Sequence, residues 1–235
     1  MVFAITVTIG ITTNYRPDSW EYCLGDAYVR AVVRAGGTPL LLPALSDENL
    51  IAEAAACCDG FIFTGGGDFD PCYWGEAPSP LLRAVIPQRD YFELALLRYL
   101  ADDSRPQLGI CRGCQALCVA FGGSVLQHID GAIAHEQKAP RDYPWHAVRI
   151  PHDSRLFLLV GEDTLRVNSL HHQAVGIMPR GWCCAAMADD GVVEAVEQMD
   201  HPFRIGVQWH PESLNDEASA KLFSGLIRYA GDLSR

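Results

Sequence analysis

The stretch Gln107-Leu108-Gly109-Ile110-Cys111-Arg112-Gly113-Cys114-Gln115 decides the fold. Its first four residues read as a short buried strand. A helical pattern follows from Cys114 to Phe121. Between them one nucleophile-type side chain sits with glycine two residues before and two residues after, which is the nucleophile-elbow pattern with Cys in place of Ser. A turn this tight leaves no room for neighbouring side chains and strains the backbone of the residue at its apex. The thiol of Cys111 is then expected to stand clear of a sheet edge, at a helix N-terminus that favours the thiolate. Cys111 and Cys114 also form a CxxC, which a redox pair or half a zinc site would share. No second CxxC or closely spaced His pair accompanies it, and the flanking glycines fit the elbow rather than the redox motif.

Working outward, a thiol nucleophile needs a base. Among eight histidines, His210 ends the apolar run Ile205-Gly206-Val207-Gln208-Trp209, and Pro211 stops the strand ladder there. Glu212 lies two residues on, on the same side in an extended chain, where a carboxylate can hold one ring nitrogen and leave the other for the thiol. A capped surface His beside an unrelated Glu is the bland alternative; an elbow Cys elsewhere in the chain weighs against it. An acyl intermediate also needs oxyanion donors. The N–H of Arg112, the residue after the nucleophile, is one. Thr64-Gly65-Gly66-Gly67-Asp68 follows a predicted strand and can present bare amides for the other. A phosphate loop of the GxxxxGK[ST] type would need a lysine that this run lacks.

Around these pieces the first half alternates strand and helix. Strands are expected at Ala4–Ile11, Thr38–Leu42, Gly60–Thr64 and Gln107–Ile110. Helices are expected at Glu21–Ala35, Asp47–Cys58 (capped by Ser46), Arg89–Ala101 and Cys114–Phe121. Such alternation implies βαβ units and a mostly parallel sheet with helices on both faces. The second half is richer in strands, at His146–Ile150, Thr164–Val167, Cys183–Ala188, Val192–Glu197 and Ile205–Val207, and closes with a helix over Glu217–Tyr229. Periodicity is poor from Leu126 to Trp145. No repeat or low-complexity linker divides residues 1–235, so one α/β domain is expected.

Composition narrows the function. The net charge of −11 repels a phosphate backbone, so no nucleic-acid partner is expected. No apolar run approaches the roughly 20 residues that span a bilayer, so no membrane role is expected. Met1–Ile11 reads as a strand rather than a signal peptide, and most of the nine cysteines are then expected to be small buried hydrophobes in a reducing cytoplasm, with one of them reactive.

Taken together, the segments resemble the class I glutamine amidotransferase-like superfamily, and within it the stand-alone γ-glutamyl-γ-aminobutyrate hydrolases of peptidase family C26. The likeness runs in order along almost the whole chain. It takes in Tyr28-Val29, Ala35-Gly36-Gly37-Thr38-Pro39, Phe63 to Asp68, Asp70-Pro71, Tyr73 to Glu76, Arg89-Asp90 and Gly109 to Gln115. Further on it includes Val167-Asn168-Ser169-Leu170-His171-His172-Gln173, Asp190 to Ala195, His201-Pro202 and Gly206 to Glu212.

The resemblance implies a flavodoxin-like fold and a Cys-His-Glu triad of Cys111 (nucleophile), His210 (acid and base) and Glu212 (its orienter). It implies oxyanion amides from Gly66, or Gly67 if the loop shifts by one, and from Arg112. Gln115, Ser169, His171 and Gln173 match a glutamyl-binding pocket; His172 stays without a role, and His171 could instead cap or pack at a helix start. The implied substrate is a γ-glutamyl amide, with no metal or organic cofactor, and the implied assembly a homodimer. The implied pathway is polyamine breakdown.

Two rivals stand beside this reading. A glutaminase subunit would pass ammonia to a partner synthetase; no fused synthetase is expected, the Asp68–Gly75 loop and Arg89-Asp90 resemble the stand-alone hydrolases, and a free-standing glutaminase subunit stays as the alternative. A non-hydrolytic thiol sensor would couple Cys111 to Cys114 or Cys118, but such proteins often lose the His-Glu partners. The leaving amine is open: Arg83, Arg89 or Arg112 would suit a carboxylate on it, and Asp68, Asp70 or Glu76 a polyamine. Tyr73 and Trp74 are expected to wall its pocket.

Overall fold

The computed structural model describes residues 7–233. In chain order the elements are β1 (Thr8–Thr12), β2 (Asn14–Arg16), β3 (Glu21–Cys23), α1 (Asp26–Arg34), β4 (Thr38–Leu42), α2 (Glu48–Ala56) and β5 (Gly60–Phe63). They continue with α3 (Pro87–Tyr99), β6 (Gln107–Ile110), α4 (Arg112–Ala120), β7 (Val125–Leu126), β8 (His146–Arg149), α5 (Arg155–Val160) and β9 (Thr164–Val167). The last are β10 (Ala174–Val175), β11 (Trp182–Ala188), β12 (Val193–Gln198), β13 (Arg204–Val207) and α6 (Glu217–Leu233).

Nine strands form one sheet in the order β4-β1-β5-β6-β13-β12-β11-β8-β9. The pairings from β4 to β13 are parallel; those from β13 to β9 are antiparallel. The sheet is thus mixed. The βαβ half is parallel as the alternation predicts, and the strand-rich half pairs antiparallel, with short connections joining β11 to β12 and β12 to β13. One apolar core joins α1, α5 and α6 to one face of the sheet; a second joins α2, α3 and α4 to the other.

Local departures have physical causes. The helix expected from Glu21 begins at Asp26, because Gly25 is extended and residues 21–23 pair with β2 in a hairpin closed by Tyr15 and Tyr22, ring centroids 5.1 Å apart. Asp47, not Ser46, caps α2, its carboxylate accepting from the N–H groups of Asn49 and Leu50. α3 starts at Pro87, two residues earlier than expected, since Pro suits the first helical turn. Residues 4–6 of the first predicted strand lie outside the described residues.

The parallel half positions the site. In a doubly wound sheet ligands bind beyond the carboxyl ends of the strands. Phe63 of β5 pairs with Gly109 of β6, and Ile110 pairs with Val207 of β13. Three adjacent parallel strands therefore deliver residues 64–68, Cys111 and His210 to one edge.

Candidate active site

Cys111 has φ 54° and ψ −108°, one of two non-glycine residues with positive φ among the described residues. Its N–H donates to the Val207 carbonyl at 2.8 Å, and its carbonyl accepts from Cys114 and Gln115, starting α4. The strained apex is thus held between β13 and the helix. Gly113 is required by close approach: a Cβ there would lie 1.9 Å from the Phe63 carbonyl oxygen.

His210 is 5% exposed and Glu212 3%. His210 Nδ1 lies 2.7 Å from Glu212 Oε1, and both Cys111 and His210 line the same cavity. Glu212 reaches the ring by a one-turn 3-10 helix over Pro211–Ser213, not by the extended geometry expected from its spacing. Asn168, fully buried, accepts from the His210 N–H at 2.8 Å and donates to its carbonyl at 3.0 Å. Burial alone would lower the His210 pKa, but the Glu212 carboxylate and Cys111 outweigh it and hold the ring up at about 10.

A raised histidine contributes its charged-pair stabilisation fully below its free value of about 6.5 and loses it as pH climbs through the folded value. We therefore expect the alkaline limb of kcat/KM to fall near pH 10, and Glu212→Gln to move it toward neutrality. A limb left in place in the pH profile of that variant would show that Glu212 does not set the ring's charge.

The glycine loop is fixed from below by a buried ion network that no local pattern in the sequence signals. Arg112 pairs with Asp90 and Glu93, and Arg89 Nε lies 3.0 Å from Glu93 Oε1. Arg89 also donates to the carbonyls of Gly65 and Thr64. Thr12 Oγ1 donates to Glu93 at 2.7 Å. All four charged residues are buried. Burial alone would raise the Glu93 pKa, but Arg112 and Arg89 hold it below the usual carboxylate value. The Gly65 N–H donates to the Tyr28 hydroxyl and that of Asp68 to the Ala84 carbonyl. Gly66 and Gly67 are therefore the loop's available amides, beside the first-turn N–H of Arg112. A Cβ at Gly66 would lie 2.2 Å from Arg89 Nη1, so bare backbone is required there.

Cys111 stands where two cavities meet. One, of about 270 Å³, is lined by Gly66, Gly67, Arg112, Gln115, His171 and Gln173, together with Arg83 and His172. The other, of about 360 Å³, is lined by Tyr28, Arg141, His210 and Glu212 among others. The predicted glutamyl-pocket residues gather in the first, except Ser169. Its hydroxyl donates to the His135 carbonyl at 2.7 Å and touches His171 Nε2 at 3.2 Å, so it backs the pocket rather than lining it. His171 follows β9 in a loop, not at a helix start. His172 gains a partner, Asp68, at 2.9 Å.

Tyr73 and Trp74 line neither cavity. They sit in a 3-10 turn packed on the α2–α4 core and pin the loop instead. Cys114 and Cys118 are fully buried, and burial pushes both thiols up. Cys114 turns beneath β13 against Gly206, which disfavours the redox and sensor readings of the CxxC.

A doubly wound sheet that brings a strained elbow cysteine, a carboxylate-held histidine and bare amides to one edge is the arrangement of an amide-hydrolysing enzyme. Comparison with known proteins agrees: the peptidase C26 pattern matches residues 3–212, and the chain belongs to that family. The γ-glutamyl-γ-aminobutyrate hydrolase PuuD of Escherichia coli K12 is 34% identical over 221 residues, 87% of this chain and 85% of that protein. A Rickettsia prowazekii protein, provisionally named glutamine amidotransferase-like, is 32% identical over 273 residues, covering 94% and 96%. A solved Thermoplasma acidophilum structure, provisionally named a GMP synthase component, superposes with a TM-score of 0.68 over 98% of this chain and 97% of that one. At 18% identity it establishes the fold, that of the class I glutamine amidotransferases. No helix among the described residues is long and apolar enough to cross a membrane.

Proposed function

We propose that the enzyme hydrolyses γ-glutamyl amides whose leaving amine carries a carboxylate, of the γ-glutamyl-GABA type. The observation that carries this reading is the placement of Cys111 between two cavities of different chemistry. The cavity with Gln115, His171 and Gln173 takes the glutamyl group. The one containing His210 takes the leaving amine, because the group that protonates an amine must face it.

The Cys111 thiolate attacks the γ-carbonyl carbon, and the oxyanion rests on the amides of Gly66 and Arg112. His210 gives its proton to the departing nitrogen as the C–N bond breaks. It then takes a proton from water, which attacks the thioester; glutamate leaves and the thiolate returns.

Arg141, absent from the cations considered in the sequence, lines the leaving-group cavity. Its side chain is 57% exposed, and Nη2 stands 3.2 Å from His210 Nδ1 and 3.9 Å from Glu212 Oε1, at the edge of the triad. The other candidate cations are engaged elsewhere. Arg89 and Arg112 are buried in the ion network, while Arg83 pairs with Glu136 beside the other cavity. The acids that would suit a polyamine are also committed: Asp68 to His172, Asp70 to the N–H of Cys72, and Glu76 to Gln127. Relatives such as PuuD, named for the GABA amide, support the same class.

The test measures glutamate release from glutamine, γ-glutamyl-GABA, γ-glutamyl-putrescine and a γ-glutamyl peptide. The GABA amide is expected to be preferred over glutamine. Arg141→Ala is expected to raise its KM about ten- to hundredfold, the worth of one charge-assisted hydrogen bond, and to leave the KM of the putrescine amide unchanged, any change in kcat through the His210 ring being common to both amides. Equal KM effects on both amides would sink the carboxylate assignment. Glutamine as best substrate would instead favour an ammonia-supplying role.

A further inference from the structure

Around Glu194, next to His171, lies a buried cluster that the hydrolytic chemistry does not use. Glu194 of β12 is fully buried, and His135, His146 and His171 surround it, each no more than 7% exposed. Its Oε1 lies 3.1 Å from His135 Nδ1, 3.4 Å from His146 Nε2 and 3.5 Å from His171 Nε2. One ligand atom each from His135, His146 and Glu194 fall within 4.8 Å of one another.

The far side of each ring decides what the near side can be. His135 Nε2 faces Asp190 Oδ2 at 3.1 Å. His146 Nδ1 faces the Ala147 carbonyl at 3.1 Å, and His171 Nδ1 the Gln173 carbonyl at 2.8 Å. All three partners are acceptors, so in each neutral ring the outer nitrogen carries the proton. The inner nitrogens then present lone pairs to a carboxylate, which repels them unless something positive lies between. Among the described residues, no hydrogen bond satisfies His135 Nδ1, His146 Nε2 or either Glu194 oxygen, and all four atoms are buried.

An acceptor on the outer nitrogen, a carboxylate or a backbone carbonyl, is the arrangement that orients histidine toward a metal. The spacing agrees. Bonds of about 2.0–2.1 Å in a tetrahedron separate ligand atoms by about 3.3–3.4 Å, close to the 3.1 and 3.4 Å found here.

We propose that His135, His146 and Glu194 bind a divalent transition metal, zinc by its preference for imidazole and carboxylate in a closed site. His171 is the remaining neighbour of the ligating oxygen. The ion would join β8, β12 and the 127–145 loop behind the segment that carries His171 into the glutamyl cavity. Its role is to hold the floor of that cavity, apart from the bond-making atoms.

The test begins with elemental analysis of the wild-type protein and of Cys111→Ala, which removes the catalytic thiol as a ligand. Both are expected to carry about one zinc per chain after dialysis. Dipicolinate is expected to lower Tm, with Zn2+ alone restoring it. His146→Gln and, separately, Glu194→Gln are expected to weaken zinc binding tenfold or more. Cobalt loaded into the stripped Cys111→Ala protein should give the visible spectrum of a tetrahedral nitrogen–oxygen site, without sulfur charge-transfer bands. Because the stoichiometry and chelator response are read on protein with the cluster intact, misfolding of a variant does not obscure them.

Metal-free protein that neither binds Zn2+ nor changes Tm with chelator would overturn the site. The cluster would then be held by doubly protonated histidines. Metal uptake that persists in His146→Gln but shows sulfur bands would assign it to cysteine, and would overturn the site equally.

Discussion

Replacing Cys111 with Ala is expected to abolish glutamate release, with kcat lowered by up to about a millionfold, the scale on which loss of a covalent nucleophile acts. The protein should remain folded. The thiol makes no contact that Ala would leave unsatisfied beyond His210, and its neighbour His210 keeps Glu212 at 2.7 Å. Backbone strain is the part Ala does not relieve, since φ 54° is as unfavourable for Ala as for Cys.

Cys111→Gly removes that penalty as well as the thiol. It should therefore be inactive and yet more stable than Cys111→Ala, by about 1–3 kcal/mol. Glutamate release and thermal melts on the two variants check both halves. Residual turnover above a thousandth of wild type in either variant would exclude Cys111 as the covalent nucleophile. Equal melting temperatures would show that the elbow is less strained than its dihedrals imply.

The largest stability effect is expected at Glu93, a residue that touches no cavity. It is fully buried and shared by Arg89 and Arg112. Glu93→Ala leaves two buried guanidinium groups with Asp90 alone as a counter-charge. Removing one partner from such a network costs about 3–5 kcal/mol, because the orphaned charge stays out of water. At roughly 2–4 °C per kcal/mol for a domain of this size, Tm should fall by about 6–20 °C.

Activity should fall too, since Arg89 holds the carbonyls of Thr64 and Gly65 and so sets the glycine loop beside Cys111. Glu93→Gln keeps the shape and should fall between wild type and Ala. A melting shift below about 2 °C for Glu93→Ala, measured by calorimetry, would mean that water or a moved side chain replaces the carboxylate, and the network would lose its structural role.

Stability should also resist mild acid at this position. The Glu93 pKa is depressed, so its charged contribution is present above the free value of about 4.5 and is lost only as pH falls through the lower folded value.

Much of the site is legible in the linear chain because its parts are local. Glycines two residues either side of a cysteine, after a four-residue apolar strand, can hardly be anything but a tight strand-to-helix turn. The alternation of strand and helix up to residue 121 dictates a parallel half-sheet, and a parallel half-sheet brings the ends of its strands to one edge. The pairing of Cys111 with His210 follows from that geometry although 99 residues separate them.

Other features depend on side chains that meet only after the sheet has formed. Glu93 sits at helical spacing among apolar residues and reads as an ordinary polar position of α3; burial between Arg89 and Arg112 gives it its role. Arg141 lies in a stretch without periodicity, and the hydrogen bond from Asn168 to its carbonyl brings it to the leaving-group cavity. Ser169 carries the same motif signal as His171, yet its hydroxyl turns to the His135 backbone.

Asp190 and Glu194 share one turn and strand, but no spacing connects them to His135 in its loop or His146 in β8. Sequence periodicity determines which face of a strand or helix is apolar, and hence the fold and the sheet edge to which Cys111 and His210 are brought. Which polar groups are sealed together inside that fold is decided by strand order and loop closure, through contacts whose energy appears only when water is excluded.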